Sequence, residues 1–186
     1  MTVGFAVTGS FCTFSKVFPA MEALAREYTL VPIFSPAAAE TDTRFGSAQA
    51  QLRRASAICG TPPILTIADA EPIGPKKMLD ALVVAPCTGN SLAKISRGIA
   101  DTCVTMAVKS HLRNGRPVVI AVSTNDGLAA AGENLARLLN RKNFYFVPFG
   151  QDDPLQKPTS LVADFSLLPQ TVSAALAGQQ LQPILL

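Results

Sequence analysis

Three short polar segments, each following an apolar run, hold the residues best suited to chemistry: Thr8-Gly9-Ser10, Thr88-Gly89-Asn90-Ser91 and Ser123-Thr124-Asn125-Asp126. Hydroxyls and backbone N–H groups at a helix start make an anion site, and the helix dipole reinforces it. Thr8, Gly9 and Ser10 therefore suit a phosphate, and Ser35 can add a further hydroxyl. The plain alternatives are a helix cap for Ser10 and a turn residue for Ser35 before Pro36. Neither G-x-G-x-x-G nor a Walker loop occurs, so a dinucleotide fingerprint is absent. Thr88, Asn90 and Ser91 crowd one helix start, where a cap needs only one of them, so they point to several side chains converging on a ligand. Ser123 and Thr124 form a neighbouring wall. Asp126 is the carboxylate at a strand end that can act as a general base; an ordinary Asp-Gly turn is the alternative.

A planar guanidinium meets a carboxylate in bidentate fashion, so an arginine near these segments would clamp an acidic substrate. Arg44, in the loop Asp42-Thr43-Arg44, is the first candidate, against a solvated or inter-subunit ion pair. Lys94 and Arg97 follow as candidates, with ordinary surface charge as their alternative. Cys87 stands at a helix start, where thiolates are favoured, but no histidine base accompanies it, so it reads as a small packing residue. His111 is the chain's single histidine; lying late in a predicted helix, it reads as a surface or interface residue. The four cysteines show no C-x-x-C spacing and no histidine cluster, so the sequence offers no zinc-site pattern.

Strands and helices alternate and would position these segments. Predicted strands cover residues 3–7, 30–34, 64–67, 81–85, 117–122 and 144–147. Predicted helices cover 13–27, 43–59, 90–113 with a break near Gly98, 129–140, and 159–177 with a break at Pro169. Residues 151–158 read as a loop, and the apolar tail from Gly178 is expected to pack on a neighbour. The strands are continuously apolar, which marks a sheet covered on both faces. The expectation is a three-layer, doubly wound parallel α/β sheet of Rossmann or flavodoxin-like type, as a single domain over residues 1–186. In such sheets ligands bind beyond the carboxyl ends of the strands, where strand order reverses.

Composition narrows the partners. Charged residues are 16% of 186, against about 25% in ordinary globular chains, and mean hydropathy is +0.29. A charge-poor surface favours burial in a homo-oligomer. Net charge is only +3 with no Lys/Arg run, which argues against nucleic acid. No apolar stretch approaches the length of a membrane span and no secretory leader opens the chain, so a cytoplasmic protein with reduced thiols is expected.

The stretch from Val84 to Thr102, containing Pro86-Cys87-Thr88-Gly89-Asn90-Ser91, then Lys94, then Gly98-Ile99-Ala100-Asp101, resembles the flavoprotein family that includes the homo-oligomeric cysteine decarboxylases. Those proteins carry a P-A-S-A-N-T segment, a lysine and a G-I-A-D segment. Val7-Thr8-Gly9-Ser10 with Lys16 is similar to the family's first-turn phosphate site. The resemblance implies an FMN site, with phosphate on Gly9, Ser10 and Ser35 and the ring edge on Thr88, Gly89, Asn90 and Ser91. It also implies trimers, or assemblies of trimers. The segments Glu40–Gly46, Ala121–Leu128 and Asn143–Pro154 narrow the likeness to a branch whose members are one of two unlike oxidoreductase subunits. That branch makes a pyridine dicarboxylate found in bacterial spores, with NADP on a nicotinamide-binding partner subunit. The implied substrate is a small dicarboxylate, with Arg44 as its clamp and Asn90 and Asp126 as catalytic candidates. The family's catalytic histidine has no counterpart in residues 36–60, and Val122-Ser123-Thr124-Asn125 replaces a P-A-M-N segment, which argues against cysteine-type decarboxylation. A non-catalytic ligand-binding or scaffold subunit that has lost flavin is the alternative.

Overall fold

The computed structural model describes residues 1–186. Strands β1 (Thr2–Val7), β3 (Ala81–Cys87) and β4 (Val118–Thr124) form the centre of the sheet and are buried along nearly their whole lengths. Helices cover them on both faces, which is why their sequences are apolar without alternation. β2 (Thr29–Phe34) and β5 (Phe144–Phe146) flank them, giving the parallel order β2-β1-β3-β4-β5. This is the doubly wound, flavodoxin-like order, with its switch point between β1 and β3. Helices α1 (Phe14–Ala25) and α8 (Leu168–Leu176) pack together, as do α5 (Gly89–Arg97), α6 (Cys103–Leu112) and α7 (Gly132–Leu139).

The sheet is not purely parallel. β6 (Phe149–Asp153) and β7 (Lys157–Ala163) form an antiparallel hairpin, and β7 pairs antiparallel with the end of β4 through Ser123 and Thr124. This hairpin replaces the expected loop over 151–158 and the first part of the helix expected from residue 159. The helical expectation arises because Leu161, Phe165, Leu168, Val172 and Ala175 recur at helical spacing, and all are buried. Only the later ones belong to a helix. Asp164 accepts from the Ser166 N–H at 3.0 Å and starts a 3-10 turn. Pro169 then sits in the first turn of α8 rather than breaking it, because that position needs no N–H donor.

Three other expectations, the helix start, the strand at 64–67 and the place of His111, are corrected. The helix expected from residue 43 is α3 (Ala48–Cys59), capped by Ser47. Before it, Thr43 and Gly46 exchange two backbone hydrogen bonds of 3.1 Å, with Gly46 at φ +128, and this tight turn carries Arg44 and Phe45 at its tip. The expected strand at 64–67 is one bridge, Ile64 to Ile33. Beyond it, Thr66 caps the short helix α4 (Ile67–Ala70). The C-terminal tail is anchored on β6, with the Phe149 N–H donating to Ile184 O and the Leu186 N–H to Phe149 O, both at 3.0 Å, while the Leu185 and Leu186 side chains stay exposed. His111 is fully buried rather than at the surface. Its Nε2 donates to Pro117 O at 3.1 Å and its Nδ1 has no partner. That environment pushes its pKa down to about 4, chiefly by desolvation. No helix is long and apolar enough to cross a membrane.

Candidate functional site

The tips of β1, β3 and β4 are tied together by their own side chains. The Thr8 hydroxyl donates to Pro86 O at 2.7 Å and accepts from the Thr88 N–H at 3.1 Å. This joins the end of β1 to the start of α5. Ser10 and Ser123 share a hydroxyl–hydroxyl hydrogen bond of 2.7 Å, joining β1 to β4. Beyond these ties lies a cavity of about 770 Å³, at the β1/β3 switch point where an open α/β sheet binds ligands.

Most of the expected residues meet there. Gly9 and Ser10 come from the β1 turn, Thr88, Gly89 and Asn90 from the start of α5, and Ser123, Thr124 and Asp126 from the end of β4. Arg44 reaches the same cavity from its turn after β2. Thr8, Ser35 and Ser91 do not line it, because their hydroxyls are used inside the fold. Thr8 is spent on the tie just described. Ser35 is buried and caps the short helix α2 (Pro36–Glu40) by accepting from the Ala38 N–H at 3.3 Å. The buried Ser91 hydroxyl accepts from Thr88 at 3.0 Å. Lys94 and Arg97 lie outside the cavity in surface ion pairs with Asp101 and Glu133. Cys87 is fully buried and desolvation pushes its thiol up to about 12, so it is no nucleophile at rest.

The charge arrangement is uneven. Lys16, Arg44 and Lys157 face the cavity with Asp126 and Asp152. Only Lys157 and Asp152 form an ion pair, at 2.7 Å; Asp152 holds the Lys157 pKa above its usual value through that bond and its charge. The Arg44 guanidinium lies over the Phe45 ring, 4.8 Å from its centre. Asp126 Oδ1 accepts a short hydrogen bond from the Thr124 hydroxyl. Both atoms lie beside Gly89, where a Cβ would stand 2.7 Å from each, so any larger residue there must push the Thr124 or Asp126 side chain aside. Sequence reasoning misses Asp152, Lys157, Ser160 and Val162 of the hairpin, because their segment reads as loop and helix. It also misses Phe11 and the exposed Cys12, for which their place directly after Ser10 is the available signal.

A second hollow of about 800 Å³ adjoins the first across Lys16, Asp152 and Val162. Between α1, the hairpin and the tail, it takes no residue from the tips of β1, β3 or β4, so it lacks the convergent polar groups of the switch-point cavity.

The sequence profile of the family described as Flavoprotein matches residues 1–159. The B subunit of dipicolinate synthase from Bacillus subtilis (strain 168) is 48% identical over 184 residues, spanning 98% of this chain and 92% of that protein. The crystal structure of the dipicolinate synthase B subunit from Bacillus halodurans C superposes with a TM-score of 0.91 at 46% identity, covering 100% of this chain and 95% of that one. Burkholderia xenovorans DmrB in complex with FMN, described as a cubic protein cage for redox transfer, superposes with a TM-score of 0.69 at 21% identity, covering 95% of each chain, and so shares the fold.

Proposed function

The chain belongs to the flavoprotein family, and on that footing we propose that it is the flavin- and substrate-holding subunit of a dipicolinate synthase. In this reading it works with a second, nicotinamide-binding subunit that carries NADP. One observation carries the proposal. A chain 48% identical to the B subunit of a dipicolinate synthase gathers hydroxyls, amides and the cations Lys16 and Arg44, neither in an ion pair, into one switch-point cavity.

The donor set fits FMN. Gly9 and Ser10, with Lys16 just beyond them, offer the polar and cationic surroundings a phosphate needs. Asn90, Ser123 and Thr124 offer donors and acceptors for a ring edge, and Phe11 contributes an aromatic side chain beside them. Thr8, Ser35 and Ser91 support these groups from behind. When bound, FMN supplies a two-electron acceptor.

Dipicolinate is pyridine-2,6-dicarboxylate, and making it from a dihydro precursor removes a hydride and a proton from the ring. The protein must fix the acid groups and accept the proton. Arg44 clamps one carboxylate. Asn90 orients the ring through its amide. Asp126 accepts the proton, and the Thr124 hydroxyl fixes its carboxylate. The single histidine is buried at Pro117, away from the cavity, so no imidazole is placed for decarboxylase-type chemistry. The same reading treats residues 1–186 as one domain in a cytoplasmic homo-oligomer, a trimer or a multiple of trimers. The 16% charge content and the 57% exposure of Leu128 support an oligomer.

The test is a titration of the purified chain with FMN, followed by assays of precursor oxidation with and without the nicotinamide-binding partner. Stoichiometric flavin binding and activity only in the presence of that partner are expected. A colourless protein that ignores added FMN yet still restores activity to the partner would replace this reading with that of a scaffold.

A further inference from the structure

Lys157 and Asp152 are the one ion pair of the chain whose two members both line the switch-point cavity. The pair is open to solvent, with the side chains 58% and 33% exposed. Exposed pairs hold weakly and exchange readily for a better partner. Sheet order places them on the flank opposite Arg44. Arg44 follows β2, at one end of the order, whereas the hairpin stands beyond β4, at the other. The substituents of a ligand spanning the cavity would therefore meet one cation at each end.

The hairpin holds Lys157 in register with the rest of the site. Between the pairs Gln151–Leu161 and Asp153–Lys157, residues 158–160 of β7 face Asp152 alone. Such bulges re-aim side chains, and here the extra residues dock on the loop that carries Asp126. The Thr159 hydroxyl donates to Asn125 O at 2.7 Å, the Leu128 N–H donates to Thr159 O at 3.0 Å, and the Ser160 hydroxyl donates to Thr124 O at 3.3 Å. These bonds carry the β4–β7 pairing past Thr124 onto the Asp126 loop.

We propose that Lys157 determines specificity for dicarboxylates by leaving Asp152 to take a second ligand carboxylate while Arg44 holds the first. Asp152 is the resident carboxylate that a ligand must displace. A monoacid held by Arg44 offers nothing to Lys157 and leaves the ion pair intact, whereas a diacid replaces Asp152 and gains a second charge-assisted bond. This inference rests on the dipicolinate synthase reading for the identity of the acid.

The pair makes opposite predictions for its two members, which separates this role from a structural one. The probes are pyridine-2,6-dicarboxylate and pyridine-2-carboxylate, titrated calorimetrically into the chain in the presence of FMN. The wild type is expected to prefer the diacid by about threefold to fivefold, the scale of an exposed ion pair. Lys157→Gln abolishes that preference, and Lys157→Arg retains most of it. Asp152→Asn tightens the diacid several-fold and leaves the monoacid unchanged. Thermal melting of each variant shows that it is folded, and FMN affinity measured on the same samples tests the flavin reading separately. Loss of FMN binding with diacid preference retained sinks the flavin reading alone. The inference is overturned if the wild type does not distinguish the two acids, or if Asp152→Asn and Lys157→Gln shift diacid affinity in the same direction.

Discussion

Replacing Gly89 by alanine tests whether the end of β4 and the start of α5 must touch for the site to exist. The added Cβ would stand 2.7 Å from both Asp126 Oδ1 and Thr124 Oγ1, so one side must retreat by about 0.7 Å to reach ordinary contact. The loop backbone has little freedom to do so, and turning either side chain away breaks the Thr124–Asp126 hydrogen bond. The loop is held by Thr159 and Ser160 on one side and by the Ser10–Ser123 bond on the other, and Gly127 lies hard against Leu161. Overpacking of this kind costs about 1–3 kcal/mol, while exchanging glycine for alanine in a helix returns up to about 1 kcal/mol. The balance is a net loss of about 1 kcal/mol, which lowers the melting temperature by about 2–4 °C in a chain of this size. An ordinary helix start would give the opposite sign. Gly9→Ala is the control, because its Cβ has 3.4 Å to the nearest atom: it should melt like the wild type yet bind FMN more weakly. Melting by circular dichroism and FMN titration give both quantities. If Gly89→Ala melts at or above the wild type and binds FMN and dicarboxylate normally, the contact does not hold the site together.

Arg44→Ala should weaken pyridine-2,6-dicarboxylate binding about tenfold or more without moving the melting temperature, since Arg44 is exposed and in no ion pair; an unchanged titration removes it as the clamp. Asp126→Asn should keep FMN and dicarboxylate affinity and lower kcat in the two-subunit assay by about 10²–10⁴-fold, and retained turnover would require another base. Burial lowers the His111 pKa from 6.5 to about 4, so on acidification the unfolded chain takes up this proton first. The stability it contributes is complete above pH 6.5 and is lost as pH falls towards 4, about 3 kcal/mol in all. Denaturant melts at pH 7 and pH 4 should therefore differ by that much less in His111→Gln, and equal differences in the two proteins would refute the linkage.

The readable part of the fold is the part buried on two sides. Residues 3–7, 81–85 and 117–122 announce themselves because a central parallel strand has no solvent face to encode. The β6–β7 hairpin is polar on one side and sits at an edge, and its inward residues continue into α8 at helical spacing. Period alone therefore does not separate strand from helix between Leu161 and Val172. His111 misleads for a different reason. A neutral imidazole that gives its one proton to Pro117 O is an acceptable core residue, and nothing local in the sequence identifies that carbonyl.

The site divides along the same physical line. Sequence position identifies which residues stand at strand tips, and Gly9, Ser10, Asn90, Ser123, Thr124 and Asp126 all reach the cavity on that ground alone. It does not say which hydroxyls remain free. Each strand tip must satisfy the N–H groups of the helix that follows it, and the residue types that do so are also the residue types that bind ligands. Ser35 is spent on the Ala38 N–H of α2, Thr8 on the tie between two strand tips, and Ser91 on the hydroxyl of the capping Thr88. Thr8 bonds both Pro86 O and the Thr88 N–H, tying the tip of β1 to the start of α5 beneath the cavity. A site of this kind consists of two interleaved sets of similar residues, one closing the backbone and one facing the ligand, and only three-dimensional pairing assigns each residue to its set.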